Sequence, residues 1–252
     1  MHFKKSPFHY DRRFNNLDYI HSAPTPALII GDLVHTIVLE PHKSDDRYVI
    51  KPHYDRRTKS GKIEHEKFMC SVQNRMIVEQ EMLSQALQMA LAVRNNELAQ
   101  AIIHDAKIEQ SIYFTHEPTG LQCKVRPDIW NNTLVSDLKT TKDASYNSFQ
   151  RSSFGYGYFL QAGMIWWALK SIGIVLEKFV FIVIEKEFPN AIAIYELAKE
   201  CIEYGVEQFD KLIKLLAECQ LKQSFPSYAF STLYLPNYAK YEDLGEIQHD
   251  DE

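Results

Sequence analysis

The chain has 252 residues, 45% of them hydrophobic, and a formal net charge of −5. That is enough apolar material for one sizeable core in a single domain. The negative balance excludes a protein that holds polyanions by net charge alone, so any nucleic-acid contact has to come from a local basic surface. The four cysteines, Cys70, Cys123, Cys201 and Cys219, are scattered and form no CxxC pair. This excludes a zinc ribbon, a clustered iron–sulfur site and a disulfide framework, and leaves a reduced, cytoplasmic setting as the default. No apolar run approaches the roughly 20 residues that span a bilayer.

Residues 1–24 read as a polar, irregular arm. Met1 to Asn16 is basic and lacks the apolar segment of a signal peptide. Thr25-Pro26 has the form of an N-cap with proline at the first helical position. Ala27 to Glu40 follows with Leu28, Gly31, Val34, His35 and Val38 at helical spacing, and Pro41 stops it. Spacing alone admits His35 either as a satisfied core histidine or as a ligand. Lys51 to Lys67 gathers Lys51, Arg56, Arg57, Lys59, Lys62 and Lys67 with His53 and His65. It is a candidate basic surface or, equally, a solvated loop.

Gly61 to Cys70 leads into a long helical region, Val72 to Asn95, with apolar positions at Met76, Ile77, Leu83, Leu87 and Leu91. Asn95-Asn96 breaks it, and Glu97 to Ala106 reads as a further helix. Met76, Met82 and Met89 read as core packing. Glu109 to His116 reads as a strand and Pro118-Thr119-Gly120 as a turn.

Two apolar-rich runs come next, Leu121 to Trp130 and Thr133 to Thr140, joined through Asn131-Asn132 in the manner of a tight hairpin. Strand alternation puts Asp137 and Lys139 on one face with Leu138 turned to the core. The short hairpin brings Asp128 close to Asp137. Two carboxylates and one ammonium in a small patch suit a hard divalent cation such as Mg²⁺ or Mn²⁺. The lysine is placed to orient an attacking water or help deprotonate it. The same residues also fit a hairpin with solvated charges.

Asp143 to Ser153 is short and polar. Phe154 to Ser171 reads as a helix with Tyr158, Gln161, Ile165 and Leu169 near one stripe. An amide on such a stripe needs partners, and the Lys139 strand is the expected source. Phe179 to Glu185 and Ala191 to Glu196 read as strands on either side of a turn at Pro189-Asn190. Leu197 to Cys219 reads as an amphipathic helix. The tail, Tyr241 to Glu252, is acidic and expected to be disordered. There is no internal repeat and no low-complexity linker.

Arg126-Pro127-Asp128 with Asp137-Leu138-Lys139 resembles the motif of the PD-(D/E)xK nuclease superfamily. Gly31-x-x-x-His35 with Glu40-Pro41, Glu109 and Gln161 follow the order of its RecE-like (exonuclease VIII-type) phage recombination exonucleases. So do Phe225-Pro226-Ser227-Tyr228 and Leu235-Pro236-Asn237-Tyr238. The resemblance implies an α/β (α+β) fold with a restriction-endonuclease-like core, a mixed central sheet flanked by helices. It makes residues 1–240 a single domain and 241–252 a tail. It implies metal ligation by His35, Asp128, Asp137 and the backbone carbonyl of Leu138. Lys139, Gln161, Glu109 and Tyr158 complete the catalytic set. The family carries Q-x-x-x-Y on the helix of Gln161. Here Ile165 stands at the tyrosine position, and Tyr158 is the expected partial replacement. DNA contact falls to Arg126 and Thr140 beside the motif, and to Arg56, Arg57 and Lys59.

The activity implied is that of a Mg²⁺-dependent exodeoxyribonuclease, with Mn²⁺ substituting. It would digest linear double-stranded DNA from its ends, 5′ to 3′, to expose single strands for recombination. The implied setting is a ring-shaped homo-oligomer, a RecT-like single-strand annealing protein as partner, and the cytoplasm of a bacterial host, with no membrane. Two other readings remain. One is another PD-(D/E)xK nuclease, restriction-like or Cas4-like, although the cysteine cluster of the latter is missing. The other is a non-catalytic DNA-binding module that kept the fold, against which the intact His35, Asp128, Asp137 and Lys139 speak.

Overall fold

A computed structural model describes residues 5–20 and 22–235. The tail 241–252 and all but Leu235 of the last Pro/aromatic motif lie outside the described residues. The arm is not wholly irregular: Pro7–Phe14 forms a first helix (α1), capped by the Ser6 hydroxyl, which accepts the His9 amide. The helix expected after Thr25 is present as α2 (Pro26–Leu39), with the Thr25 hydroxyl accepting the Leu28 amide. It buries Leu33, Val34 and Ile37. Pro41 ends it in a short 3-10 turn, and one helical turn (α3, Ser44–Arg47) leads to β1 (Tyr48–Ile50).

The long helix expected from Val72 to Asn95 is two helices with a strand between them. α4 (Lys59–Val72) ends at Gln73, whose φ of 54° is left-handed. β2 (Met76–Val78) then pairs parallel with β1, and α5 (Gln80–Asn95) follows. α5 turns Ala86, Met89, Ala90 and Val93 to the core, while Leu87 and Leu91 stay exposed. The small alanines allow α2 and α5 to lie close together. α6 (Glu97–Ile103) stops short of Ala106.

The strand expected over Glu109 to His116 is also divided. β3 (Lys107–Ile108) ends at Glu109, which has φ of 50°, and β4 (Ile112–His116) pairs with β5 (Leu121–Val125) in a separate two-stranded sheet. β6 (Ile129–Asn131) and β7 (Leu134–Thr141) make the expected hairpin, with Asn132 in the left-handed conformation that asparagine tolerates. The polar stretch after β7 is helical: α7 (Tyr146–Tyr156) is separated from α8 (Tyr158–Ser171) by Gly157, φ 76°. β8 (Lys178–Glu185), β9 (Ile192–Glu196) and α9 (Lys199–Lys222) close the described fold.

The main sheet has the order β3-β6-β7-β8-β9. β7 and β8 run parallel and the other neighbours antiparallel, so the sheet is mixed and helix-flanked, as expected. β8 is a near-continuous apolar run buried on both faces, the pattern of a covered central strand. One face packs Ile129, Leu138, Ile182 and Ile184 against α2 and α5, with Met89 fully buried and Met76 and Met82 at its edge. The other packs Val135, Phe179 and Phe181 against α7, α8 and α9. No helix among the described residues is long and apolar enough to cross a membrane.

α8 and α9 meet through two glycines. A Cβ on Gly163 would lie 2.1 Å from the Gly205 carbonyl carbon, and one on Gly205 would lie 1.9 Å from the Phe159 carbonyl oxygen. Backbone on both sides leaves nothing that can yield. Overpacking costs about 1–3 kcal/mol and each kcal/mol shifts melting by about 2–4 °C at this size, so Gly163→Ala is expected to lower the melting temperature by about 2–12 °C. Wild-type melting of that variant would contradict so close a helix approach.

Candidate active site

The β6–β7 hairpin sets the first part of the site. Ile129 pairs with Ser136 and Trp130 with Val135. Continued by one step, that register places Asp128 opposite Asp137. Asp128 Oδ2 accepts the Leu138 amide at 2.9 Å, and the Asp128 carbonyl accepts the Glu109 amide at 3.0 Å. Glu109 therefore meets the hairpin through its backbone, in a left-handed conformation that costs a non-glycine residue on the order of 1–3 kcal/mol. Its carboxylate pairs with Arg126 Nε at 2.7 Å.

α2 supplies the next residue. Its Gly31 lies near the end of β7, where a Cβ would sit 3.4 Å from Thr140 Oγ1. One turn later His35 reaches Asp128, Nδ1 to Oδ2, at 3.4 Å. One ligand atom from each of His35, Glu109 and Asp128 lies within 4.8 Å of the others. His35 thus lines the cleft rather than filling the core.

A second group lies behind this cluster. Asp137 is 1% exposed. Gln161 donates to its Oδ1 at 2.5 Å, and the Lys139 ammonium stands 2.5 Å from its Oδ2. Lys139 also donates to Gln161 Oε1 at 3.3 Å and lies 4.5 Å from the centre of the Tyr158 ring. Tyr158 and Gln161 are one turn apart on α8, and the break at Gly157 starts that helix where both face β7. Ile165 is buried in the core, and Tyr158 is the aromatic that meets the lysine. Leu138 links the two groups: its side chain is buried, its amide holds Asp128, and it lines the cleft.

Burial lowers the His35 pKa and outweighs the upward pull of Asp137, so the imidazole is neutral at pH 7. Its contact with Asp128 is then not an ion pair. Burial, followed by the charge of Asp137, holds the Asp128 carboxyl well above the usual range. Burial likewise raises Glu109 against the pull of Arg126. For Lys139 burial acts downward, but Asp137 and Asp128 outweigh it and the net shift is up. The site thus pairs carboxyls that resist ionisation with a lysine that resists deprotonation.

His35, Glu109, Asp128, Leu138, Lys139 and Tyr158 open into a cleft of about 710 Å³ that Arg126 and Thr140 also line, while Asp137 and Gln161 lie behind that lining. Arg56, Arg57 and Lys59 do not line it. They lie on the exposed segment entering α4, where Arg57 Nε pairs with Asp55 at 3.0 Å. The cleft includes residues that sequence reasoning missed, Asp32, Arg47, Tyr156 and Lys186. Arg47 is held by Glu40 at 2.6 Å and by the Thr36 hydroxyl at 2.9 Å. The Glu40-Pro41 pair was the available signal, since the turn it makes carries Arg47 back to α2. A larger groove of about 920 Å³ lies between α8, β9 and α9. Of its acids, Glu196, Glu203 and Glu207 each pair with a lysine and Glu177 accepts the Thr133 hydroxyl, and no cluster of metal-ligating side chains of the kind found in the smaller cleft lies in it among the described residues.

Residues 2–235 match the PDDEXK-like domain of unknown function DUF3799, and the chain belongs to that family. Among solved structures, a candidate exonuclease from Eubacterium rectale is similar, with a TM-score of 0.61 and 13% identity over 95% of this chain and 86% of that one. The two share a fold. The protein SSO0001 is 14% identical over 81% of this chain and 83% of its own, but its TM-score is only 0.30. No curated protein matches the chain.

The raised Asp128 pKa has a consequence for stability. A carboxyl whose folded pKa lies above its unfolded value favours folding below the unfolded value, and that support is lost as pH rises through the folded one. Asp128→Asn keeps an acceptor for the Leu138 amide and removes the charge. In EDTA at pH 8 the variant is expected to melt a few degrees above wild type, and the gap should close as pH falls toward 4. Thermal unfolding of both proteins across that range checks it; a lower melting temperature for the variant at pH 8 contradicts the electrostatics described here.

Proposed function

We propose that this member of the PDDEXK-like family is a divalent-metal-dependent nuclease that digests linear double-stranded DNA from its ends and exposes single strands for recombination. The observation that carries this is the gathering of the His35, Glu109 and Asp128 ligand atoms in one cleft with Lys139, which Asp137 and Gln161 hold from behind the cleft's lining. The donor set fits a hard cation. Two carboxyls whose ionisation is suppressed and a neutral imidazole gain most from a positive ion among them. Oxygen donors suit Mg²⁺ or Mn²⁺, and the nitrogen is the better match for Mn²⁺. His35, Glu109 and Asp128 would hold the ion, with Asp137 the next carboxylate inward and the Leu138 carbonyl a further oxygen. When bound, such an ion polarises the phosphoryl oxygen and lowers the pKa of water.

The chain's own groups do the rest. Lys139 keeps its proton, so it orients water or a phosphate oxygen and stabilises developing charge instead of acting as a base. Gln161 bridges Asp137 and Lys139 and fixes both. The face of Tyr158 supports the ammonium from the side. Arg126 steadies Glu109, and Thr140 lies where a strand would pass. A ring-shaped homo-oligomer, 5′-to-3′ digestion, a RecT-like annealing partner and a cytoplasmic setting belong to the same reading, and the sequence resemblance supports them.

Asp128→Ala and Asp137→Ala are each expected to lower the rate on linear duplex in Mg²⁺ at least about a hundredfold, the scale of losing one main electrostatic contributor. Either variant at a tenth of the wild-type rate would sink the assignment. A relaxed closed circle should survive digestion; its nicking by wild type but not by Lys139→Ala would make the protein an endonuclease. His35 has its own measurement. Mn²⁺ should raise the melting temperature of wild type, and His35→Ala should lose most of that rise. If it keeps the full rise, His35 is not a ligand.

A further inference from the structure

Four cations line the cleft, Arg47, Arg126, Lys139 and Lys186. Three are already matched by carboxylates, Arg47 by Glu40 at 2.6 Å, Arg126 by Glu109 at 2.7 Å and Lys139 by Asp137 at 2.5 Å. Lys186 makes no ion pair with any described carboxylate. The one charge that acts on it appreciably is that of another cation, Lys142. Thr141 and Glu185 are in register at the C-terminal ends of the parallel strands β7 and β8, and the Lys186 amide donates to the Thr141 carbonyl at 2.9 Å. Lys142 and Lys186 therefore leave the sheet side by side, and Lys142 also lacks a carboxylate partner among the described residues. Burial, and then the charge of Lys142, lower the Lys186 pKa, with no acid acting the other way.

Two adjacent ammonium groups at the C-terminal edge of a sheet, beside a cluster that suits a metal, are arranged for a polyanion. Tyr156 adds a second kind of contact. It ends α7, lines the same cleft and is 59% exposed. Its ring centre lies 5.8 Å from that of Tyr158, the rings 31° apart, so it extends the aromatic surface under Lys139 outward toward solvent.

We propose that Lys186, Lys142 and Tyr156 form a subsite for a single-stranded segment of DNA beside the metal cluster, with the two ammonium groups on backbone phosphates and the Tyr156 ring against a base. This rests on the nucleolytic reading above for its ligand class. Cations on phosphates hold a strand without regard to sequence, and an exposed aromatic ring needs an unstacked base face that the inside of a duplex does not offer. The end of the duplex therefore frays before the strand reaches the cluster.

The test is fluorescence anisotropy of a labelled short oligodeoxythymidylate with the full chain in EDTA, where no strand is cut. Lys186→Ala and Lys142→Ala are each expected to weaken binding about fivefold, and the slope of log affinity against log salt should fall by about 0.7 for each phosphate no longer neutralised. Tyr156→Ala should weaken binding about tenfold, and Tyr156→Phe, which keeps the stacking face, should bind like wild type. Melting temperatures equal to wild type show that the variants fold.

Failure of the wild type to bind the oligonucleotide overturns the subsite. So does an unchanged affinity and salt slope in the Lys142→Ala/Lys186→Ala double variant. Displacement of the strand by inorganic phosphate at matched phosphate concentration would make this a free-anion site and overturn the strand assignment. The two readings fail separately. A chain that binds the strand through these residues yet cuts no DNA refutes the nuclease and keeps the subsite; one that cuts DNA with KM unchanged in Lys186→Ala and Tyr156→Ala does the reverse.

Discussion

The hydrogen bond from the Leu138 amide to Asp128, across the end of the β6–β7 hairpin, is the contact on which the site depends. It fixes which carboxylate faces which. With Ile129 opposite Ser136, the next pair outward is Asp128 and Asp137, and both are largely buried. A slip of one residue would turn Asp137 to the other face of the sheet and put Leu138 in its place. The hairpin turn guards against that slip. Asn132 accepts the left-handed conformation, and the Trp130 indole donates to its carbonyl at 2.7 Å. The chemistry of the cleft thus begins in a turn residue four positions from Asp128.

Around the hairpin, the flanking elements deliver side chains through one close approach and two local interruptions. α2 comes close to β7 at Gly31, and one turn later carries His35 to Asp128. Glu109 ends β3 in a left-handed conformation and so leaves the strand to face the same point. Gly157 ends α7 and starts α8, aiming Tyr158 and Gln161 at Lys139. Regular elements supply the two cores and, in β7 and α2, Asp137, Lys139 and His35, while the breaks bring Glu109, Tyr158 and Gln161 to them. A break redirects a chain end toward the cleft, where a residue in unbroken register reaches it only from a face that borders it.

This also explains what could be read from sequence. The hairpin, the capped α2 and strands β8 and β9 have strong local signals, two apolar runs around Asn131-Asn132, Thr25-Pro26 before a periodic stretch, and β-branched and aromatic runs. The mixed sheet follows from them. The breaks were less legible. Met76–Val78 is too short to outweigh the helical pattern on either side, and its extended form comes from pairing with β1, a distant segment. Nothing local marks Glu109 as left-handed; its amide bond to Asp128 is a tertiary contact. α7 has few apolar residues and reads as polar, but Phe149 anchors it against Phe181 and Tyr195. Within the site, the motif residues were found by pattern. Arg47, Tyr156 and Lys186 were not, since each is brought to the cleft by the end of an element whose position only the fold sets.

The ion pairs of the cleft leave three charged groups without a counter-ion among the described residues. Arg47 with Glu40, Arg126 with Glu109 and Lys139 with Asp137 cancel in pairs. What remains is Asp32, which accepts the Tyr48 hydroxyl, Asp128, whose direct polar contacts are an amide and a neutral imidazole, and Lys186, whose charged neighbour is a lysine. One end of the cleft thus gains from a cation and the other from an anion. A lone cation would satisfy Asp128 and leave Lys186 as it is, and a lone anion would do the opposite. A divalent ion carrying a phosphodiester strand satisfies both. On the function proposed above, each partner would bind better with the other present, the relation such a nuclease needs between its ion and its substrate.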